Sequence, residues 1–144
     1  MDVLSPYIIA GMLGWLVSQA AKYVIASVQR RGFAPYRQLY LSGHMPSAHS
    51  ATVVAVLVVI GYLDGVQSGL FGLSLVFSSV VIYDAMMVRR SSGEQGVALT
   101  ALLMEQKSKV PLPRVAMGHT PLEVAVGVLL GAIVGVAVCF LTVL

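Results

Sequence analysis

Four apolar runs, separated by short polar connections, set what this chain can fold into. They cover residues 7–25, 46–63, 69–88 and 121–144. Each is near the roughly 18–20 residues that a helix needs to cross the hydrocarbon core of a bilayer. The second reaches that length only if Pro46 and Ser47 supply its first turn. With 58% hydrophobic residues against 10% charged, and a mean hydropathy of +0.88, a water-soluble domain is excluded. The predicted fold is all-α: an integral membrane helical bundle of about four transmembrane helices in one domain, residues 1–144. A fifth apolar stretch, residues 97–104, is too short to span and predicts a short interfacial or buried helix. Met1-Asp2 offers no basic leader, so no secretory signal is expected. The single cysteine, Cys139, falls in the last run, so no disulfide forms within the chain.

The net charge of +3 matters less than its placement. Lys22, Arg30, Arg31 and Arg37 lie in or beside the connection between runs one and two. Arg89, Arg90, Lys107, Lys109 and Arg114 lie between runs three and four. The turn around Asp64 and both termini carry no Lys or Arg. Basic residues concentrate on the cytoplasmic side of membrane proteins. Both polar connections are therefore expected in the cytoplasm and both termini outside, in a bacterial inner membrane or its equivalent. The bilayer is one expected partner and a phosphorylated lipid another; no nucleic-acid partner is expected.

Gly127, Gly131 and Gly135 recur every four residues in the last run, a spacing that lets helix backbones approach closely. That face serves either contact within the bundle or contact between two copies, and a homodimer is compatible with it.

Ionisable groups at membrane depth are costly and turn toward a bundle interior. Here they collect at one end of the runs: Lys22, His49, Asp84, His119 and Glu123. In "SGHMPSAHS", residues 42–50, Ser47 caps a helix start. The free N–H groups there, with Ser47 and His49 as added donors, also make an anion site. In "GHTPLEV", residues 118–124, two readings stand. Thr120, Pro121 and Glu123 fit a capping box, or Glu123 holds one ring nitrogen of His119 so that the other faces a substrate. In "YDAMMVRRSSGEQ", residues 83–95, either Asp84 pairs locally with an arginine at the end of a span, followed by interfacial basic residues, or Arg89 or Arg90 clamps phosphate oxygens. Asp84 would orient one of these basic groups, and Gly93 would allow a tight turn back toward the bundle.

These three segments together resemble the type-2 phosphatidic acid phosphatase superfamily, which includes vanadium-dependent haloperoxidases. The fuller set, "SGHMPSAHS", "DAMMVRRSSGEQ" and "GHTPLEVAVG", is similar to its small divergent membrane branch, from about Lys22 to Gly131. The resemblance implies that His119 is a nucleophile forming a phosphohistidine, supported by Glu123, and that His49 is the acid for the leaving oxygen. Lys22, Ser47 and Arg89 or Arg90 would hold the phosphoryl oxygens, with Ser42, Gly43, Asp84 and Gly118 in support. The motifs depart from the wider pattern in two places. Gln29-Arg30 stands where the first motif has Arg-Pro, and Arg114 is one residue out of register before the second histidine. Arg89 and Arg90 offer a replacement from another segment.

The implied activity is a metal-independent, acid-phosphatase-like hydrolysis of a lipid phosphomonoester, such as phosphatidylglycerophosphate or phosphatidic acid. Cationic side chains and helix N–H groups can neutralise the transferring phosphoryl group without a cofactor. The alternative is a protein that binds or translocates a lipid phosphate without turnover. A metal site built from His44, His49, His119, Asp84 and Glu123 lacks ligand spacing on any one helix.

Overall fold

The structure, a computed structural model, describes residues 4–32, 45–113, 115 and 117–143. Arg37, Ser42, Gly43, His44 and Arg114 lie outside the described residues. The described residues form helices joined by turns: α1 (Pro6–Gln29), α2 (Ala48–Leu63), α3 (Gly69–Tyr83), a π-helical turn (Asp84–Val88), α4 (Arg89–Glu105) and α5 (Pro121–Val143). Among the described residues, three helical stretches are long and apolar enough to cross a membrane: Pro6–Gln29, Gly69–Glu105 and Pro121–Thr142. The protein is an integral membrane helical bundle.

Helix α2 is the centre of the bundle, in contact with α1, α3 and α5. Its small residues make this possible. A Cβ placed on Gly14 of α1 would lie 3.0 Å from the Ala51 carbonyl oxygen and 3.2 Å from Ala55 Cβ. From the other side, Gly127 of α5 faces the Ser47 backbone, Gly131 the Ala51 backbone and Gly135 the Ala55 carbonyl. The four-residue spacing on α5 thus matches a four-residue spacing on α2, and the two helices run parallel. The glycine face lies inside the bundle. Beyond it, Ala10, Ala55, Val59, Val134, Val138 and Cys139 form the apolar core. At the end of α2, the Tyr7 hydroxyl donates to Asp64 Oδ2 at 2.6 Å, tying α1 to the α2–α3 turn.

Three sequence expectations need correction. The second run does not begin its helix at Pro46. Ser47 has extended backbone and its side chain accepts from the Ser50 N–H, so α2 starts at Ala48 and has 16 residues. The third run and the expected interfacial helix are one element, Gly69–Glu105, 37 residues long. Gly93 makes no turn; it is buried within α4. No proline interrupts residues 69–105, and one internal glycine costs a helix only about 1 kcal/mol, too little to break it. The chain instead returns toward the bundle after α4, where Val115 packs on Gly96.

Candidate functional site

The starts of α2 and α5 are bound side by side. The Ser47 N–H donates to the Glu123 carbonyl at 3.1 Å, and Gly127 leaves room for Ser47, whose carbonyl would be 2.5 Å from any Cβ there. Two helix N-termini therefore point their free N–H groups toward one region, which favours negative charge.

At the start of α5 both readings of the sequence are realised together. Glu123 Oε2 accepts the Thr120 N–H at 2.8 Å, and Thr120 Oγ1 accepts the Glu123 N–H at 3.3 Å, a reciprocal capping box. The same Oε2 lies 3.3 Å from His119 Nδ1. With Nδ1–H committed to the carboxylate, Nε2 is the basic nitrogen left for chemistry. His119 is only 4% exposed. Burial pushes its imidazole below the usual histidine range, and the hydrogen bond to Glu123 partly offsets this.

Helix α1 supplies the cation. Its buried face runs Ala10, Gly14, Ser18 and Lys22, each four residues apart. Glycine at position 14 brings this face onto α2, and two further turns of α1 carry Lys22 toward the start of α5. Its ammonium interacts electrostatically with Glu123, His49 and His119. Lys22 is 8% exposed, and among the described residues it makes no hydrogen bond or ion pair. An ammonium on a largely buried side chain, with no close anionic partner among the described residues, favours the approach of an anion.

The wall opposite is the π turn. Arg89 Nε meets Asp84 Oδ2 at 2.8 Å, and both act electrostatically on the exposed His49. Arg90 turns elsewhere: its Nε meets Glu94 Oε1 at 3.2 Å, beside an open groove of about 510 Å³ that Met86, Met87 and Pro121 also line. Of the two arginines, it is Arg89 that acts on His49. Ser47 is fully buried and accepts from both the N–H and the hydroxyl of Ser50.

The structure thus gathers Lys22, Ser47, His49, Asp84, Arg89, His119 and Glu123, and leaves Arg90 to one side. Gly118 lies against the backbone of Arg89 and Arg90. Sequence reasoning missed four residues there. Ser50 completes the Ser47 pair. Ala85 contributes only its carbonyl, which accepts the His119 N–H at 3.0 Å; nothing in an alanine signals such a role. Ser18 Oγ and Gln19 Oε1 are buried one turn before Lys22 with no partner among the described residues, and the four-residue spacing from Gly14 through Ser18 to Lys22 was the available sign. Among the described residues, no group of three or more His, Cys, Asp or Glu side chains is placed to hold a metal ion.

The family model described as the Divergent PAP2 family matches residues 4–134. The chain belongs to that family. The match to the Divergent PAP2 family takes in every helix that builds the site. A relative from Bacillus subtilis (strain 168), described as the uncharacterized membrane protein YuiD, is 30% identical, over 69% of this chain and 72% of its own. No solved structure matches.

Proposed function

We propose that this site hydrolyses a phosphomonoester of a membrane lipid through a phosphohistidine on His119. The observation that carries the proposal is the ammonium of the largely buried Lys22 side chain, which lacks an ion-pair partner among the described residues and interacts electrostatically with His119, Glu123 and His49. A phosphoryl group supplies the missing negative charge. Lys22, Arg89 and the free N–H groups at the two helix starts neutralise its equatorial oxygens as charge builds.

The two histidines then divide the chemistry. His119 Nε2 attacks phosphorus while the bond to the ester oxygen breaks, and His49 gives its proton to the departing alkoxide. Water next attacks the phosphohistidine, His49 takes a proton from that water, and the P–N bond breaks to release inorganic phosphate. Glu123 holds Nδ1–H throughout and stabilises the positive charge on the ring. None of these steps uses a metal ion.

The lipid phosphate comes from the cytoplasmic leaflet on this reading. The Lys and Arg residues flanking the site support a cytoplasmic position for that end of the bundle, and a headgroup phosphate would lie at the depth of the helix starts. Phosphatidic acid and phosphatidylglycerophosphate have the required monoester.

The test is phosphate release by purified protein from a panel of lipid phosphates in detergent containing chelator. Release that survives chelator, is blocked by vanadate and is lost in His119→Ala is expected, because trigonal-bipyramidal vanadate resembles the transferring phosphoryl group. Tight phosphate binding without release would instead favour a lipid-phosphate binder or translocator.

A further inference from the structure

The π turn at Asp84–Val88 interrupts an otherwise continuous α-helix, and its hydrogen bonds show what the interruption provides. In an α-helix each N–H pairs with the carbonyl four residues back; here the Arg89 N–H reaches five back, to Asp84. When pairing returns to four residues in α4, one carbonyl between the two patterns is passed over. The carbonyl that takes a donor from outside the helix is Ala85. Its partner is the His119 N–H, at 3.0 Å, and Ala85 is 1% exposed, so no water competes for that bond.

Two further contacts depend on the same turn. Residues five apart lie about 140° apart around an α-helix and cannot pair, but pairing of i with i−5 stacks them on one face. This brings Arg89 onto Asp84. The segment before His119 also lies directly on the helix backbone: a Cβ on Gly118 would collide with the Arg90 N and would sit 2.7 Å from Arg90 Cα and 2.8 Å from the Arg89 carbonyl carbon. Only glycine lets the chain come close enough for the His119 N–H to reach Ala85.

We propose that the π turn is the positioning element of this site, with the Ala85 carbonyl and Gly118 as positioning residues that hold the His119 backbone against the long helix. Glu123 fixes the ring from one side and Ala85 fixes the main chain from the other, so Nε2 has one place to be. The kinetic consequence rests on the phosphohistidine reading; the structural consequence does not.

Deleting Met87, whose side chain is exposed, tests it. The turn holds one residue more than an α-helical turn, so the deletion allows uninterrupted α pairing. Asp84 and Arg89 become four apart, still a helical pairing distance, and the cation stays in the site. What disappears is the surplus carbonyl. The expected result is a His119 amide that exchanges slowly with solvent in the wild-type protein and at least about tenfold faster in the deletion variant. Turnover should show kcat lower by roughly 10–100-fold, as for a misplaced reacting group. KM and inhibition by inorganic phosphate should stay within about threefold. Gly118→Ala should give the same pattern by lifting the segment off the helix, and it carries the test if the deletion variant loses its helical content. Equal His119 exchange in wild type and variant, or an unchanged kcat, overturns the proposal. A wild-type protein that releases no phosphate overturns the hydrolase reading alone, and amide exchange still decides the role of the turn.

Discussion

His119 and Glu123 meet through Oε2, 3.3 Å from Nδ1, the same oxygen that accepts the Thr120 N–H at 2.8 Å. One atom caps α5 and orients the imidazole, so the two roles separate only under mutation. Glu123→Gln keeps an oxygen for the Thr120 N–H and loses the charge that supports the ring. It should leave the thermal midpoint close to wild type and lower phosphate release by roughly 10–100-fold. Glu123→Ala also removes the cap, typically worth about 0.5–2 kcal/mol, and should lower both. Matched thermal unfolding and turnover assays separate these outcomes; full activity in Glu123→Gln would leave the residue a helix cap alone.

Arg89 and Arg90 are neighbours with different surroundings, and their variants should differ accordingly. Arg89→Ala should weaken binding of inorganic phosphate or vanadate by roughly 10–100-fold, the range for a lost hydrogen bond to a charged group. Arg90→Ala removes only an exposed pair with Glu94, worth about 0.2–1 kcal/mol, and should change binding by less than about threefold. Inhibition constants measured for both variants on one preparation would expose a reversed order.

Acid should act on this protein through His119. Burial holds its pKa below the usual histidine value, so the unfolded chain takes up that proton more readily than the folded one. Its contribution to stability is complete above about pH 6.5, the ordinary histidine value. It declines as pH falls from there toward the lower folded value. For catalysis the same shift keeps the attacking nitrogen unprotonated below pH 6.5. The acid limb of kcat/KM due to this group should therefore lie below that value. Glu123→Gln, which removes an influence that raises the pKa, should move it lower still.

Gly131 faces the Ala51 backbone rather than a flexible side chain. Gly131→Ala should force α5 away from α2 and lower stability by about 1–3 kcal/mol, the usual range for overpacking. Gly72, with nothing within 4 Å of an added Cβ, should accept alanine with no such loss. Thermal unfolding of the two variants in detergent makes the comparison.

Ser68 and Ser91 mark opposite ends of the bundle, Ser68 capping α3 and Ser91 lying in α4 beyond the π turn. Single cysteines at these positions, in a Cys139→Ala background, report sidedness through a membrane-impermeant thiol reagent. From outside intact cells the Ser68 site should label and the Ser91 site should not. The opposite pattern would put the site on the outer face and shift the substrate toward lipids presented there.

The sequence made the spanning helices, the capping box and the gathering of Lys22, His49, Asp84, His119 and Glu123 legible, because each follows from hydropathy, local spacing or alternation of direction. What it hid depended on register between distant segments. The glycine spacing of α5 announces a close approach without naming the partner, and only the match to Ser47, Ala51 and Ala55 places it on α2. The choice between Arg89 and Arg90 turns on one residue of helical phase, set by a π turn that no proline or glycine marks. Gly93 looked like a break because an isolated glycine does not show in the sequence that it lies buried within a continuous helix.

Helix α2 has 16 residues, a length of about 24 Å, against roughly 30 Å for the hydrocarbon core it must match. Its far end is tied to the first turn of α1 through Tyr7 and Asp64, so the shortfall of about 6 Å falls at the end that carries His49. A bilayer meets a short helix by thinning around it. The leaflet over this site should therefore dip, lowering headgroups toward the Lys22 ammonium and letting solvent follow them inward. A lipid would reach the histidines by sinking with its own surface, not by being pulled out of it.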